Sequence, residues 1–100
     1  MSPENKPESK IQAEIVKFLK VNGCLVFRMN SGYVAKNVKL APPGTPDLLA
    51  ITRPGIPYWI EVKTAKGKLR DSQKEMIEQL KARNQHVIVA HDTTDVSWIR

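Results

Sequence analysis

Two acidic residues and a lysine stand where packing alone would not place charged side chains. Asp47 directly follows a proline and opens a short apolar segment, whereas Glu61 and Lys63 are two residues apart in an aromatic and β-branched segment. Because side chains alternate along a strand, Glu61 and Lys63 point to one face, and Ile60 and Val62 point to the other. The face with Glu61 and Lys63 is therefore either half exposed to solvent or part of an active site.

Two further polar residues lie beside apolar stripes on predicted helices. Glu14 follows Ile11 by three residues and precedes Phe18 by four, so it borders the apolar side of its helix. A lone glutamate at such a position is also typical of a rim carboxylate that pairs with a nearby lysine. Gln73 falls on the inward side of the second helix, where a buried amide needs a hydrogen-bond partner.

A basic loop follows the segment that contains Glu61. Its eight residues, 63–70, include four cations: Lys63, Lys66, Lys68 and Arg70. A run of charge is usually solvated surface, but this one adjoins Glu61, and Gly67 would let the backbone approach a phosphate closely. Such contacts bind the nucleic-acid backbone without reading its sequence. Further candidates for the same contact are Arg28, Asn30, Ser31, Lys36, Lys39 and Arg53.

Hydrophobic periodicity and turn residues predict the elements that position these side chains. The first helix opens at Ser9, which has the capping-box spacing with Gln12, and ends at residues 22–23. The second begins between Arg70 and Ser72, with Ser72 and Glu75 as its capping box, and ends near Asn84. Met76, Ile77 and Leu80 are expected to form its buried stripe, and Asp92 or Thr93 to cap a short final helix through Trp98.

Strand propensity predicts four strands, at residues 24–29, 47–51, 58–63 and 86–90. The composition of the last one predicts burial on both faces. Residues 53–57 form the connection of a hairpin, which brings Asp47 and Glu61 near each other. The order α-β-β-β-α-β predicts an α/β fold, with a mixed sheet of about four strands flanked by helices.

Composition narrows the class of protein and its partners. One hundred residues fit a single domain, and we expect residues 1–8 to be a flexible leader and 9–100 the domain. Sixteen basic against ten acidic residues give a net charge of +6, which indicates a polyanionic partner. The lone Cys24 excludes a disulfide framework and a Cys-rich zinc site. Without an apolar run of membrane-spanning length or a signal peptide, we expect a cytoplasmic setting and no membrane partner.

The combination of these residues is far more specific than any one of them. Pro46-Asp47 followed by Glu61-Val62-Lys63 resembles the PD-(D/E)xK signature of restriction-endonuclease-like nucleases. Over residues from about 9 to 96 the chain resembles the VRR-NUC branch, in the standalone form of phages and bacteria. The matching motifs are residues 30–32, 44–48, 60–64 and 67–69, and Gln73.

The resemblance implies a restriction-endonuclease-like core and a metal-dependent nuclease that hydrolyses DNA phosphodiester bonds. Its metal ligands would be Asp47, Glu61 and the backbone carbonyl of Val62, with Glu14 as the helix-one carboxylate that acts directly or through water. Oxygen ligands of this kind suit Mg²⁺ or Mn²⁺ and argue against zinc. No small-molecule cofactor is expected.

The resemblance also assigns roles around the metal. Lys63 would position or deprotonate the attacking water and stabilise developing negative charge. Gln73 would orient Lys63 or a water of the site, or it only satisfies a hydrogen bond in the core. Standalone members of the family pair as homodimers and cut branched DNA such as four-way (Holliday) junctions. The implied setting is a bacterial or phage-infected cell.

Two alternatives of other classes stay open. The chain can be a catalytically inactive, basic DNA-binding module of the same fold, although such a site would be expected to have lost one of its four charged residues. It can also be a basic interaction subunit in which the strand face of Glu61 and Lys63 is merely exposed. The second alternative predicts that Asp47 and Glu61 bind no divalent cation.

Overall fold

The computed structural model describes residues 6–29, 33–35, 38–39 and 41–100, with side chains for all of these except 33–35 and 38–39. Its helices are α1 (Glu8–Val21), α2 (Asp71–Ala82) and a short 3-10 helix (Thr93–Val96). Its strands are β1 (Leu25–Arg28), β2 (Tyr33–Ala35), β3 (Val38–Lys39), β4 (Leu48–Ile51), β5 (Pro57–Val62) and β6 (His86–Ala90). None of the helices in these ranges has the length and apolar character that a membrane crossing requires.

Four of the described strands form one mixed sheet, in the order β1-β4-β5-β6. The pairs β1–β4 and β4–β5 are antiparallel, and β5–β6 is parallel. With α1 and α2 these four strands follow the predicted order α-β-β-β-α-β, so the predicted fold class is confirmed. The short antiparallel pair of β2 and β3 is an addition that the sequence pattern did not predict.

The core lies between α1 and one face of the sheet. Ile11, Ile15 and Leu19 recur at helical spacing on α1 and are buried. They belong to one cluster with alternate residues of the strands and with the C-terminal segment: Leu48, Ala50, Ile60, Val62, Ala90, Val96 and Ile99. The side chains that alternate with these strand residues, among them Glu61, therefore face the opposite side of the sheet.

The second face of the sheet is less completely covered. The contacts of α2 with the sheet are made mainly to β6, and among the residues of this fully described helix only Gln73 is buried. The prediction that Met76, Ile77 and Leu80 form a buried stripe is wrong in its extent of burial, because all three are only half-buried. The prediction that β6 is buried on both faces is also wrong, because β6 is an edge strand and three of its residues are half-buried.

Both long helices begin differently from their predicted capping boxes. Pro7 precedes α1, and its carbonyl accepts hydrogen bonds from the N–H groups of Lys10 and Ile11, so the helix begins at Glu8 instead of after Ser9. Glu8 is therefore helical and not part of a leader. The second helix begins within the predicted range, but Gln73 is its capping side chain and Ser72 is not. The prediction that Asp92 caps the final turn is confirmed, since its Oδ1 accepts from the N–H of Thr94.

Candidate active site

Asp47 and Glu61 lie side by side at one end of the sheet. Leu48 at the start of β4 is paired with Ile60 near the end of β5. Asp47 precedes Leu48 and Glu61 follows Ile60, so the antiparallel register brings the two carboxyl groups together. Oδ2 of Asp47 accepts a hydrogen bond of 2.8 Å from the backbone N–H of Val62. This bond ties the loop before β4 to β5 and places Asp47 where the sequence predicts it.

Glu61 is buried and is held by Gln73. Its side chain is only 2 % exposed, and its Oε1 accepts a hydrogen bond of 2.7 Å from Nε2 of Gln73. The other end of the Gln73 amide, Oε1, accepts from the backbone N–H of Arg70 at 2.8 Å. Gln73 thus links the start of α2 to the carboxyl pair, and its direct partner is Glu61, whereas Lys63 or a water was expected.

Lys63 lies on the same strand face and is also buried. It is 8 % exposed, and its Nζ lies 3.9 Å from Oε1 of Glu61. The turn from Thr64 to Gly67, closed by a backbone hydrogen bond of 3.0 Å, folds over the Lys63 side chain. A Cβ on Gly67 would lie 3.4 Å from Cδ of Lys63 and 2.9 Å from the Thr64 hydroxyl. The face that carries Glu61 and Lys63 is therefore enclosed, unlike the exposed strand face of the interaction-subunit alternative.

The pKa of Glu61 is raised to about 8. Burial is the largest cause, because it disfavours the charged carboxylate, and the negative charge of Asp47 is the next. Glu8 and a hydrogen bond shared with the Asp47 carboxyl group raise the pKa further, while the positive charge of Lys63 opposes the shift. Without a cation, the carboxyl pair therefore holds a proton at neutral pH.

The donor atoms of the cluster fit a hard divalent cation. Asp47 and Glu61 offer carboxylate oxygens, which Mg²⁺ and Mn²⁺ prefer, and the mutual repulsion that raises the pKa of Glu61 would be relieved by a positive ion. Within the described part of the chain, no group of three or more His, Cys, Asp or Glu side chains converges on one point. The fit therefore rests on two side chains, and the Val62 carbonyl as a further ligand stays a prediction.

Glu14 does not join this cluster. Its carboxylate forms an ion pair of 2.9 Å with Nζ of Lys6, and it lines a shallow groove on α1 together with Lys17 and Phe18. This is the rim carboxylate that the sequence left open as the alternative. The α1 residue whose charge acts on Glu61 is Glu8, at the first position of the helix.

Sequence reasoning missed Glu8 because it predicted a leader there, yet a signal was present. Glu8 precedes Ile11 by three residues and Ile15 by seven, so it lies on the same side of α1 as these buried residues, although it is itself exposed.

The basic residues expected to contact DNA divide by their place in the fold. Lys66, Lys68 and Arg70 are exposed in the loop directly after Lys63. Arg28 is exposed on β1, opposite Leu48 and therefore at the end of the sheet that carries the site. Arg53 lies in the turn after β4, at the other end of the sheet. At 3.3 Å per strand residue, this end is about 15 Å from the site. Asn30, Ser31 and Lys36 fall outside the described residues, as does the side chain of Lys39.

We expect the metal-free protein to lose stability as the pH rises from about 4.5 to about 8. Across this range the folded state keeps a proton on Glu61, whose pKa is about 8, whereas the unfolded chain has released it above the ordinary value of 4.5. The folded state binds more protons, so the free energy of unfolding falls with rising pH. Thermal unfolding in EDTA of the wild type and of the uncharged, isosteric Glu61→Gln variant checks this. The variant should lack that part of the slope, and equal slopes would contradict the shift.

Comparison with known proteins agrees with the fold and with the sequence motifs. Residues 19–93, which are 75 of the 100 residues, match the VRR-NUC domain family. The matched range contains Asp47, Glu61, Lys63 and Gln73. A solved structure described as a VRR_NUC domain superposes with a TM-score of 0.71 at 24% sequence identity, over 89% of this chain and 88% of that one.

No curated protein sequence matches the chain. The family match covers most of the sequence, and the structural likeness shows the same fold independently. The chain therefore belongs to the VRR-NUC domain family, within the PD-(D/E)xK nuclease superfamily.

Proposed function

We propose that this VRR-NUC domain is an Mg²⁺- or Mn²⁺-dependent DNA endonuclease that selects branched DNA and acts as a homodimer. Membership of the family implies a nuclease domain with DNA as its substrate. The metal requirement, the preference for four-way junctions and the dimer are the additional parts of the proposal.

One observation carries the enzymatic proposal: a buried glutamate beside a second carboxylate, with a lysine and a glutamine anchored around it. Burying a carboxylate beside a second one is costly unless a cation or a proton compensates the charge. The pKa of about 8 for Glu61 records that cost. Gln73 nevertheless fixes Glu61 from α2, and Val62 fixes Asp47 from β5. A fold that maintains such an arrangement gains from it when a divalent cation binds.

The residues would divide the chemistry of phosphodiester hydrolysis among them. Asp47 and Glu61 would hold the cation, which when bound supplies charge neutralisation at the phosphate and activation of the attacking water. Lys63, close to Glu61, would orient or deprotonate that water and stabilise the negative charge that develops on the phosphate. Gln73 would keep the Glu61 carboxylate in one orientation, as outer-shell partners of metal ligands do. The negative charge of Glu8, at the start of α1, contributes to the raised pKa of Glu61.

The loop after Lys63 would bind the DNA backbone. Replacing Lys66 and Lys68 together by alanine is expected to weaken DNA binding and to reduce the slope of log affinity against log salt by about 1 to 2, because each phosphate contact releases counterions. Fluorescence anisotropy at several salt concentrations measures this. The double variant Lys17→Ala/Lys20→Ala removes the same charge from exposed positions on α1, across the sheet from Glu61. If both double variants change the slope equally, the loop is not the binding surface.

An uncharged patch supports pairing of two copies. Leu25 and Phe27 of the edge strand β1 are 61% and 44% exposed, and their register partners Ile51 and Leu49 are half-buried on the same face of the sheet. Because the patch carries no charge, two copies of a +6 chain can meet there without bringing cations together, whereas DNA would gain little from it. A two-fold dimer would hold two active sites at a fixed separation, which suits a symmetric branched substrate.

A panel of substrates tests the proposal as a whole. The purified protein is incubated with Mg²⁺ or Mn²⁺ and with linear, nicked, flapped, forked and four-way DNA, and its mass is measured by light scattering. We expect metal-dependent cutting that is fastest on four-way DNA, by a dimer. Absence of cutting on every substrate would overturn the enzymatic proposal, and equal cutting of linear and four-way DNA would overturn branch selection. A monomer at working concentration would overturn the dimer.

A further inference from the structure

The loop that leads to Asp47 comes close to the backbone of α2 at Gly44. Gly44 has a φ of +85°, and a Cβ built on it would collide with the carbonyl oxygen of Ser72. The same Cβ would approach the Ser72 carbonyl carbon to 2.5 Å and the Gln73 nitrogen to 3.1 Å. These contacts are backbone atoms in the first turn of a helix, which cannot move aside as a flexible side chain can.

On the loop side, Gly44 is rigidly connected to Asp47. The N–H and the hydroxyl of Thr45 both donate to the carbonyl of Pro42, at 3.2 and 2.7 Å, and close a turn around Gly44. Thr45 and Pro46 are buried, and Pro46 has a fixed φ. A displacement at Gly44 would therefore be passed along the chain to Asp47.

On the helix side, the residue that Gly44 contacts is next to a residue of the site. Ser72, which Gly44 contacts, directly precedes Gln73, and the amide of Gln73 donates to Glu61. Gln73 is 4 % exposed, so its side chain has little room to compensate if the helix start moves. Gly44 is thus a point where the two backbone segments that hold the carboxyl pair meet.

We propose that Gly44 is a positioning residue of the active site: its missing side chain sets the separation between the Asp47 loop and the start of α2, and so keeps Gln73 on Glu61. The consequence for metal binding rests on the function proposed above. The geometric part of the proposal is the hydrogen bond from Gln73 to Glu61. It does not depend on catalysis and is measured separately.

A second glycine provides a matched control. Gly55 has a φ of +96°, and a Cβ on it would meet no atom within 4 Å. It lies in the turn between β4 and β5, away from the site. Gly44→Ala and Gly55→Ala therefore impose the same kind of backbone strain at positive φ, but only Gly44→Ala adds a contact with α2.

The first readout is the NMR signal of the Gln73 side-chain amide in the metal-free protein. In the wild type and in Gly55→Ala its protons should be shifted and slow to exchange, because Nε2 donates to a buried carboxyl group. In Gly44→Ala the shift and the protection should be lost. Thr45→Val, which removes the hydroxyl bond to Pro42 without adding bulk, should reduce the protection in part, and it carries the test if Gly44→Ala does not fold. An unchanged Gln73 signal in the folded variants would overturn the proposal.

The second readout is the affinity for Mn²⁺, followed by isothermal titration. Gly44→Ala should weaken it about tenfold or more, as loss of an outer-shell partner does, and Gly55→Ala should leave it within about twofold. In a Gln73→Ala background, Gly44→Ala should weaken Mn²⁺ binding by a smaller factor than in the wild type, because the effect that passes through Gln73 is already lost. Equal losses in both backgrounds would contradict that route. If the wild type binds no Mn²⁺, the proposed function fails while the Gln73 signal still decides the role of Gly44.

Discussion

Replacing Glu61 by glutamine is expected to abolish cleavage of four-way DNA while leaving DNA binding largely intact. Loss of an outer-shell partner typically costs 10- to 100-fold in metal affinity or activity, so loss of a direct ligand should lower the cleavage rate on the order of 10³-fold. Glutamine keeps the shape of the side chain and can still accept the hydrogen bond of 2.7 Å from Gln73. The fold and the basic loop should therefore be unaffected.

Single-turnover cleavage and anisotropy measured on the same preparation separate chemistry from binding. Glu78→Gln, at an exposed position on α2, removes the same charge and should cleave at the wild-type rate. Undiminished cleavage by Glu61→Gln would place the active site elsewhere. If the wild type binds DNA without cleaving it, and Glu61→Gln binds DNA equally well, the protein is the inactive DNA-binding module.

Replacing Lys63 by methionine is expected to lower kcat by about 10² to 10⁴, the usual range for loss of a positioned acid–base group. Methionine retains an apolar side chain that can pack under the turn from Thr64 to Gly67. The ammonium is 3.9 Å from Glu61, so its removal takes a positive charge away from the carboxyl pair without removing a metal ligand. The affinity for Mn²⁺ should therefore be retained.

The control for this variant is Lys66→Met, three residues further along the same loop and exposed. It should change KM more than kcat, because an exposed loop cation binds the DNA backbone before and during the reaction alike. If Lys63→Met changes only KM, Lys63 binds DNA and takes no part in the chemistry.

The meeting of Asp47 with Glu61 could be predicted from sequence because it depends on local rules. Strand alternation placed Glu61 and Lys63 on one face, and the short connection between β4 and β5 required an antiparallel hairpin. A hairpin fixes which residues lie opposite each other, so the start of one strand had to meet the end of the next. The same rules predicted the α-β-β-β-α-β order of the sheet.

The partners of these residues could not be predicted, because they depend on where helices begin and how they dock. Ser9 has a favourable capping sequence, but Pro7 starts α1 with a fixed φ and a carbonyl that accepts two N–H groups. That shift of two residues in the cap moved Glu8 from a predicted leader into the helix, where its negative charge helps to raise the pKa of Glu61. The spacing of Glu8 from Ile11 and Ile15 becomes informative only when the helix start is placed correctly.

Gln73 shows the same limit from the other helix. Periodicity predicted correctly that it faces inward, but its choice of Glu61 over Lys63 is set by the approach of α2 to β5. Its amide has two ends, and one caps α2 through Arg70 while the other reaches Glu61. The close contact at Gly44 that sets this approach is a backbone contact between segments 28 residues apart, which spacing rules do not address.

Titration of Mn²⁺ into the metal-free protein at about pH 7 tests whether Asp47 and Glu61 hold the metal. The released protons are measured in buffers of different ionisation enthalpy. We expect the wild type to bind Mn²⁺ with release of a proton, because the pKa of Glu61 is about 8 before the ion arrives. The variants Asp47→Asn and Glu61→Gln should bind far more weakly. Binding of Mn²⁺ with equal affinity by the wild type and both variants would contradict the claim that Asp47 and Glu61 hold the metal.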